Sequence, residues 1–341
     1  MKTWINFLIY IMIFILIIFI FPAICTRDRK KRTIDNLNNI EKNENKVNIV
    51  EKSKHDYSMY GKIKLLHKKS GQIAELEIDE YLYGVVSAEI PVNYEFEAVK
   101  AQAVAARTYT IYQILNKNKK HGEADICDDS ACCQAWISKD DRMKKWNENQ
   151  RDNNWKKIVE AVNSTEGQII TYDKQVINAF FHSNSGGKTE IASNVWIGGK
   201  NFPYLQSVET SGEEGYTQYN SKVIISKNDL IEKIKKEYKE IQIDFNKDDN
   251  IKILNYTDSG RVKTVRFGNT EISGTEVRSM FGLKSTNFSI KIDNDNVIFS
   301  VIGYGHGVGM SQTGADSLAK QGKNYVEILK HFYTGVEITT I

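Results

Sequence analysis

Apolar and polar positions follow three patterns along this chain, and each pattern predicts a different kind of element. Residues 4–24 are mostly Ile, Leu, Phe and Met, close to the ~20 residues that cross a bilayer as a helix. Residues 61–78 alternate apolar and polar positions around a Lys-Ser-Gly turn, which predicts two paired strands. In residues 93–115 apolar residues recur at helical spacing after the capping residue Asn93, which predicts a central, alanine-rich helix with one buried face.

The same patterns continue through the rest of the chain. Residues 79–91 predict a short helix that stops before Pro91, because the residue before a proline avoids helical geometry. A hairpin with a Ser/Gly loop, a strand-rich region with one amphipathic helix, and two final helices are predicted for residues 167–187, 223–302 and 313–335. Helices and strands without regular alternation indicate an α+β fold with mixed β-hairpins and a second lobe at about residues 205–300.

The amino-terminal residues predict a membrane anchor followed by a tether. Residues 1–26 contain the long apolar run, and the competing interpretation is a signal peptide, whose apolar region should be only ~7–15 residues long. Residues 27–56 are rich in Asn, Lys and Glu and predict a solvated tether, so the folded domain is expected over residues 57–341. Five basic residues after the apolar run favour a cytoplasmic body, or contact with anionic headgroups on the far side.

Charge excludes nucleic acid as the main partner. The whole chain has a formal net charge of +3. Six of its 46 Lys and Arg residues and one of its 43 Asp and Glu residues precede residue 33, so the remainder has 40 basic and 42 acidic groups. A domain with this balance has no overall attraction for a polyanion.

The segment GYGHGVGMSQTGA, residues 303–315, places glycine at every second position around His306. No register has the spacing of a dinucleotide-binding loop, and the segment lacks the lysine and hydroxyl pair of a P-loop. A backbone with so few side chains suits close approach of a bulky ligand or of a second chain segment. The alternative is a glycine-rich bulge over the core, with His306 in a structural hydrogen bond.

Glu89 lies among small and apolar residues in VVSAEIP, an unusual neighbourhood for a carboxylate that faces water. Partial burial would raise its pKa towards the range that suits a general acid. The alternative is a structural salt bridge from Glu89 to Lys100 or Arg107. These two basic residues lie seven positions apart on one helical face, where they could form a wall beside Glu89 or pair with Glu97 and Glu95.

The segment HGEADICDDSACC holds one histidine and three cysteines within thirteen residues: His121, Cys127, Cys132 and Cys133. This set suits a structural Zn²⁺, which prefers four thiolate or imidazole ligands in a tetrahedron. Because adjacent residues normally point apart, water or a distant residue is the alternative fourth ligand. A disulfide from Cys127 to Cys132 or Cys133 is the main competing interpretation.

Four segments in order resemble one known family: EYLYGVVSAEIPVNYEFEAVKAQAVAARTY, FFHSNSGGKTE, GTEVRSMFGLKSTNF and GYGHGVGMSQTGA. Together they resemble the stage II sporulation protein D family, membrane-bound peptidoglycan lytic transglycosylases of endospore-forming bacteria. The resemblance runs from about residue 60 to the end. It is weakest in the central polar stretch, although some clostridial members resemble this chain in carrying a zinc-binding His/Cys cluster there.

The resemblance implies a role for each motif. Glu89 matches the family's catalytic glutamate, and Lys100 and Arg107 match its basic positions on the following helix, which is expected to carry the active-site wall. His306 and Gln312 fall in the glycine-rich motif, for which a substrate-groove role is implied.

A single carboxylic acid suffices for a lytic transglycosylase, because the attacking hydroxyl belongs to the sugar itself. Glu89 would protonate the glycosidic oxygen between N-acetylmuramic acid and N-acetylglucosamine and then accept the proton of the muramic 6-hydroxyl. Basic side chains such as Lys100 and Arg107 could hold the muramyl lactate or orient Glu89. His182, Ser183 and Ser185 offer hydrogen bonds to acetamido groups.

The resemblance also implies a biological setting. Expected partners are glycan strands stripped of stem peptides, an amidase and other engulfment proteins, and the mother-cell membrane through the amino-terminal helix. This setting requires the body to lie outside the cytoplasm, against the flanking-charge argument. Two other functions stay open, a glycan-binding enhancer of a partner amidase and a zinc hydrolase, and the second is disfavoured because the ligand cluster looks closed.

Overall fold

The computed structural model describes residues 60, 62–116, 119–196, 202–247 and 249–341. The predicted anchor at residues 1–26 and the predicted tether at residues 27–56 both lie outside this part of the chain. Within the described ranges, no helix has both the length and the apolar character needed to cross a membrane.

The described residues form helices and short strands in mixed order. The helices are α1 (Ile78–Glu89), α2 (Phe96–Leu115), α3 (Lys139–Lys145), α4 (Arg151–Asn163), α5 (Lys227–Glu237), α6 (Gly274–Phe281), α7 (Gln312–Lys320) and α8 (Tyr325–Phe332). The strands are β1 (Lys62–Leu66), β2 (Ile73–Glu77), β3 (Ile126–Cys127), β4 (Gln168–Tyr172), β5 (Gln175–Val176), β6 (Phe181–His182), β7 (Asn220–Ser226), β8 (Ile251–Tyr256), β9 (Val262–Phe267), β10 (Thr270–Ser273), β11 (Phe288–Ile292), β12 (Asn296–Ile302), β13 (Met310–Ser311) and β14 (Glu337–Thr340).

The first hairpin and the first helix confirm the local predictions. Strands β1 and β2 pair antiparallel with Lys62 opposite Glu77, and β3 joins β1 in parallel. Helix α1 ends at Glu89 because Ile90, which precedes Pro91, is extended, with φ −115° and ψ 137°. Glu89 is therefore the last helical residue, next to a sharp change in chain direction.

Helix α2 forms the centre of the larger hydrophobic core. The sequence predicted one buried face, whereas 14 of its 20 residues are buried, since α1, α4, α7, α8 and β4 all pack against it. Its small alanine side chains let these neighbours approach closely from several sides. The predicted cap at Asn93 is wrong: the helix begins at Phe96, and the preceding Glu95 donates its backbone N–H to the Asp316 carboxylate at 2.6 Å.

A second hydrophobic cluster lies in the strand-rich region. Its core residues come from β7 to β12 and from helices α5 and α6. Two three-stranded sheets, in the orders β10-β9-β8 and β11-β12-β7, supply most of them. Phe281 stacks on Phe299 with ring centroids 5.1 Å apart. The division of the chain into two lobes near residues 205–300 stays a prediction.

The α+β class is confirmed, because the strands of the described residues form five small sheets of two or three strands rather than a sheet alternating with helices. One of these sheets positions the candidate site. Strand β13 pairs in parallel with β6, which places Met310 opposite Phe181 and Ser311 opposite His182. The glycine-rich motif thereby lies beside the segment FFHSNSGG.

Candidate active site

Glu89 lines a cleft of about 460 Å³ together with residues from both motifs just described. The residue is half-buried as a whole, and its Oε1 atom accepts the backbone N–H of Ala135 at 2.5 Å. The cleft also holds His182, Ser183 and Gln312. Helix α1 and the segments around β6 and β13 therefore bring the predicted acid and part of the predicted groove together.

The carboxyl group of Glu89 is held near the protonation state that a general acid needs. Burial raises its pKa to about 7 from an ordinary value of 4.5, and hydrogen bonds from Ala135 and Gln312 offset only part of that rise. At neutral pH a substantial fraction of Glu89 is thus protonated and able to donate. No salt bridge from Glu89 to a basic side chain is present among the described residues, so the structural alternative is wrong.

The alternating glycines allow a close approach of two chain segments. Gly309 has φ +70°, and an added Cβ would lie 2.0 Å from the carbonyl oxygen of Phe180. At Gly305, with φ +118°, an added Cβ would lie 2.7 Å from the Cβ of His182. Of the uses considered for this motif, the structure shows the approach of a second chain segment. That segment and the motif form one wall of the cleft.

Two histidines in this wall are neutral at pH 7. Burial lowers the pKa of His182 to about 3, with help from Arg261, and burial also holds the pKa of His306 well below its ordinary value. The Nδ1 atom of His306 accepts the backbone N–H of Val308 at 3.1 Å. Its proton is then on Nε2, and the ring also hydrogen-bonds the backbone of Phe181, so both sides of the imidazole are held by the wall.

Gln312 links the acid to the central helix. It is the first residue of α7, it donates to the side-chain oxygen of Gln102 on α2 at 3.2 Å, and it also hydrogen-bonds Glu89. Ser183 lies in the cleft, where its carbonyl oxygen accepts the backbone N–H of Thr313 at 3.0 Å. Gln312 is therefore held by a hydrogen bond to α2, and Ser183 is held by a hydrogen bond from α7.

Ser185 lies away from the cleft and serves a buried carboxylate. Its hydroxyl and its backbone N–H both donate to Glu213, whose side chain is fully buried. Glu213 also accepts hydrogen bonds from the Gly187 N–H and from the hydroxyls of Ser311, Thr313 and the nearby Thr210. Burial alone would raise the pKa of Glu213, but these hydrogen bonds outweigh it and the pKa is lowered. Glu213 thus links the two chain segments of this wall as a charged carboxylate.

The two basic residues of α2 do not line the cleft. Lys100 pairs with Glu97 at 2.7 Å, which is the alternative that the sequence left open, and its ammonium group lies 4.5 Å from the ring centroid of Tyr325. Arg107 is fully buried, and it donates to the carbonyl oxygens of Val162 and Gln168. Both side chains support the packing around α2, and neither lies beside Glu89.

The predicted metal ligands converge. One ligand atom each of His121, Cys127, Cys132 and Cys133 lies within 4.8 Å of all the others. The three cysteines are free thiols, so the disulfide interpretation is wrong in this structure. Cys132 and Cys133 both reach the cluster because each donates its backbone N–H to the Asp129 carbonyl, in a helical turn that overrides the usual divergence of neighbours.

The donor set fits a tetrahedral metal site. The Nε2 atom of His121 lies 3.2 Å from the Cys133 sulfur and 3.8 Å from the Cys132 sulfur. Ligands about 2.0–2.3 Å from a tetrahedral Zn²⁺ are separated by about 3.5 Å, so these distances need little adjustment. Cys133 lines the cleft, and Ala135, two residues later, donates to Glu89. The cluster therefore lies next to the loop that contacts the acid.

Comparisons with known proteins point to one family. A family model described as stage II sporulation protein matches residues 66–172, and a model for a domain of unknown function matches residues 200–309. The stage II sporulation protein D of Bacillus amyloliquefaciens is 34% identical over 268 residues, which covers 78% of this chain and 75% of the relative. That of Bacillus subtilis (strain 168) is 33% identical, covering 78% and 76%.

The chain belongs to the stage II sporulation protein D family. The resemblance seen in the four sequence segments is thereby confirmed, and the chain is a sporulation protein of this family. It is also 28% identical to the amidase enhancer of Bacillus subtilis (strain 168), over 76% of this chain and 40% of that relative.

Sequence reasoning missed three residues in or near the cleft of this family member. Arg278 and Tyr304 both line the cleft beside His306, and both lie inside family motifs that the sequence had singled out for other reasons. Glu213 lies in the segment SGEEGY, where no pattern distinguishes it from its exposed neighbour Glu214. Only its buried position and its hydrogen bonds identify it.

Proposed function

We propose that this protein is a membrane-anchored peptidoglycan lytic transglycosylase that cleaves glycan strands with formation of 1,6-anhydro-N-acetylmuramic acid. The observation that carries the proposal is one protonatable carboxyl group in a cleft. Glu89 is the single carboxylic acid among the described residues that line this cleft, and its pKa is raised to about 7. Such a group suits proton donation to a leaving oxygen.

The number of carboxylates favours this reaction over hydrolysis. An ordinary glycosidase uses two, one to protonate the leaving oxygen and one to attack or to activate water. The adjoining cleft of about 380 Å³ contains a second carboxylate, Glu190. Its oxygens accept hydrogen bonds from Thr257, Ser259, Asn194 and the Ile191 N–H, so this group is engaged in structure. A reaction whose nucleophile is part of the substrate needs no second carboxylate.

In the proposed reaction Glu89 gives one proton to the substrate and later takes one proton back. Glu89 donates its proton to the glycosidic oxygen, and the bond from that oxygen to C1 of the muramic residue breaks. The 6-hydroxyl oxygen of the same residue then bonds to C1, and Glu89 takes the hydroxyl proton. The acid is regenerated, the leaving strand carries a hydroxyl group, and no water is consumed. Intramolecular attack supplies the proximity that a bimolecular reaction lacks.

The uncharged residues of the cleft suit a sugar substrate. Gln312 and Ser183 offer amide and hydroxyl groups, and Tyr304 exposes 40% of its surface. Acetamido and hydroxyl groups pair with such donors and acceptors, and sugar rings pack on aromatic faces. A zinc ion held by the His/Cys cluster would have four protein ligands and would supply structural stability to the loop that carries Ala135.

The setting that follows is the cell wall during engulfment in sporulation. We place the body outside the cytoplasm, where glycan strands lie, with the amino-terminal segment as its anchor. An amidase that removes stem peptides is the expected partner. The similarity to an amidase enhancer favours a second candidate function, a glycan-binding enhancer of an amidase without cleavage of its own.

A product assay separates these functions. The purified chain is incubated with peptide-free glycan strands, and the released fragments are analysed by mass spectrometry. We expect anhydro-muramyl ends, which are lost in Glu89→Gln and kept in Glu80→Gln, an exposed residue of the same helix. Fragments with reducing ends would indicate a hydrolase. Binding without any fragments would indicate the enhancer.

A further inference from the structure

Arg278 is a cation at the junction of two clefts. It lies in the last turn of α6 and lines both the cleft that contains Glu89 and the adjoining cleft of about 380 Å³. His306 is the other residue shared by both. A ligand that extends beyond Glu89 towards the second cleft therefore passes the guanidinium group of Arg278.

This guanidinium has no acidic partner among the residues that the structure describes. Its Nε atom donates to the carbonyl oxygen of Leu283 at 3.4 Å, which anchors the side chain and leaves its two terminal nitrogens without a protein acceptor. The neighbouring Arg261, in contrast, gives its terminal nitrogens to the carbonyl oxygens of Lys188 and Ser185. A half-buried arginine with free terminal nitrogens is available to a bidentate anion.

The second cleft also contains the charged residues Glu190 and Arg261, but neither pairs with Arg278 among the described residues. The Glu190 carboxylate is held by Thr257, Ser259 and Asn194. The pKa of Glu89 depends on burial and on hydrogen bonds from Ala135 and Gln312. Arg278 instead lowers the pKa values of His182 and His306. Both histidines are neutral at pH 7, so Arg278 is not neutralised by the wall around it. The acid and the guanidinium therefore act as two separate contacts of one cleft, and Glu89 keeps its raised pKa.

The chemistry of a muramic acid strand offers one anion to such a group. Each muramic residue carries a lactyl ether with a carboxylate, and a stem peptide converts that carboxylate into an uncharged amide. Resting on the proposed function, we propose that Arg278 binds the lactyl carboxylate of a muramic residue in this cleft. Lys100 and Arg107, to which the sequence had assigned this contact, are engaged elsewhere.

The proposal assigns Arg278 to substrate binding rather than to proton transfer. A contact made equally in the bound substrate and in the transition state lowers KM and leaves kcat unchanged. A charge-assisted hydrogen bond to a carboxylate changes affinity by about tenfold or more. Arg278→Gln is therefore expected to raise KM about tenfold and to keep kcat, whereas a residue that only supports the fold would lower both activity and stability.

The test measures binding of two strands that differ at the lactyl group alone. Peptide-free strands are labelled at one end, and half of the preparation is converted to lactyl methylamides with carbodiimide and methylamine. Affinities are measured by fluorescence anisotropy on the full chain carrying Glu89→Gln, which prevents cleavage. The added variants are Arg278→Gln, Arg278→Lys and, as matched control, Arg266→Gln, an arginine that pairs with Glu271 on β10.

We expect the Glu89→Gln chain and the Arg266 control to bind carboxylate strands at least about tenfold more tightly than methylamide strands. Arg278→Gln should bind both strands alike, with the affinity of the parent for methylamide strands, and Arg278→Lys should keep part of the preference. The inference is overturned if the Glu89→Gln parent binds carboxylate and methylamide strands equally. That result does not depend on the folding of any Arg278 variant. It is also overturned if Arg278→Gln keeps the preference or loses affinity for both strands equally.

Failure of this inference differs from failure of the proposed function. If the unmodified chain yields no anhydro-muramyl ends while the preference depends on Arg278, the lytic activity is wrong and the carboxylate site stands. If such ends form but methylamide strands bind as well as carboxylate strands, the activity stands and the role of Arg278 is wrong.

Discussion

Replacing the proposed acid should stabilise the fold while abolishing cleavage, and the gain should depend on pH. Burial raises the pKa of Glu89 to about 7 from 4.5. An acid whose pKa is raised in the folded state binds its proton more tightly there, so the free energy of unfolding falls as pH rises from about 4.5 to 7 and then stays level. At about 1.4 kcal/mol per pKa unit, the fully ionised group costs up to about 3 kcal/mol.

Glu89→Gln removes this ionisation and keeps an oxygen that can accept the Ala135 N–H. We therefore expect wild type and variant to be nearly equal in stability at pH 4.5, and the variant to be more stable by up to about 3 kcal/mol at pH 8.5. Urea unfolding at a series of pH values measures the difference, with Glu80→Gln as the exposed control on the same helix. Parallel stability curves for wild type and Glu89→Gln would refute the idea that burial holds this carboxyl protonated.

Three further predictions concern activity and stability. The rate of cleavage should be constant below pH 7 and should fall by up to tenfold per pH unit above it, because Glu89 must carry its proton. A steady-state pH profile of kcat/KM measures this, and a rise in kcat/KM through pH 8 would contradict it. Glu213→Gln should lower the free energy of unfolding by about 1–3 kcal/mol, because buried donors from two chain segments lose a charged acceptor. Urea unfolding beside the exposed control Glu214→Gln tests it. Chelation should remove about one zinc per chain, and Cys127→Ser should prevent its binding. Both changes should lower stability and cleavage. Full zinc content in the purified variant would exclude this ligand set.

The surroundings of Glu89 and Glu213 change the pKa of a carboxyl group in opposite directions: the pKa of Glu89 is raised and that of Glu213 is lowered. Glu89 accepts few hydrogen bonds, so the cost of burying its charge dominates and favours the neutral acid. Glu213 is more deeply buried, yet its many donors stabilise the anion. The first arrangement provides a proton for chemistry, and the second links the two chain segments that hold His182 and Gln312.

Local sequence patterns determined the elements and several chemical groups. Alternation predicted the β1–β2 hairpin, Pro91 predicted the end of α1, and the apolar neighbours of Glu89 predicted its partial burial. The spacing of the cysteines predicted the cluster with His121. These features depend on residues within about a dozen positions of one another, whose conformational preferences and spacing can be read directly from the chain.

Only the tertiary structure decided which distant side chains meet. Lys100 and Arg107 lie on the helix after Glu89, but close packing around α2 directs them to Glu97 and to backbone carbonyls. Arg278 instead comes from a helix almost two hundred residues later, and Glu213 collects donors from segments more than a hundred residues apart. Such contacts follow from the path of the whole chain, because burial and charge pairing are settled by the sum of many packing interactions and not by local sequence.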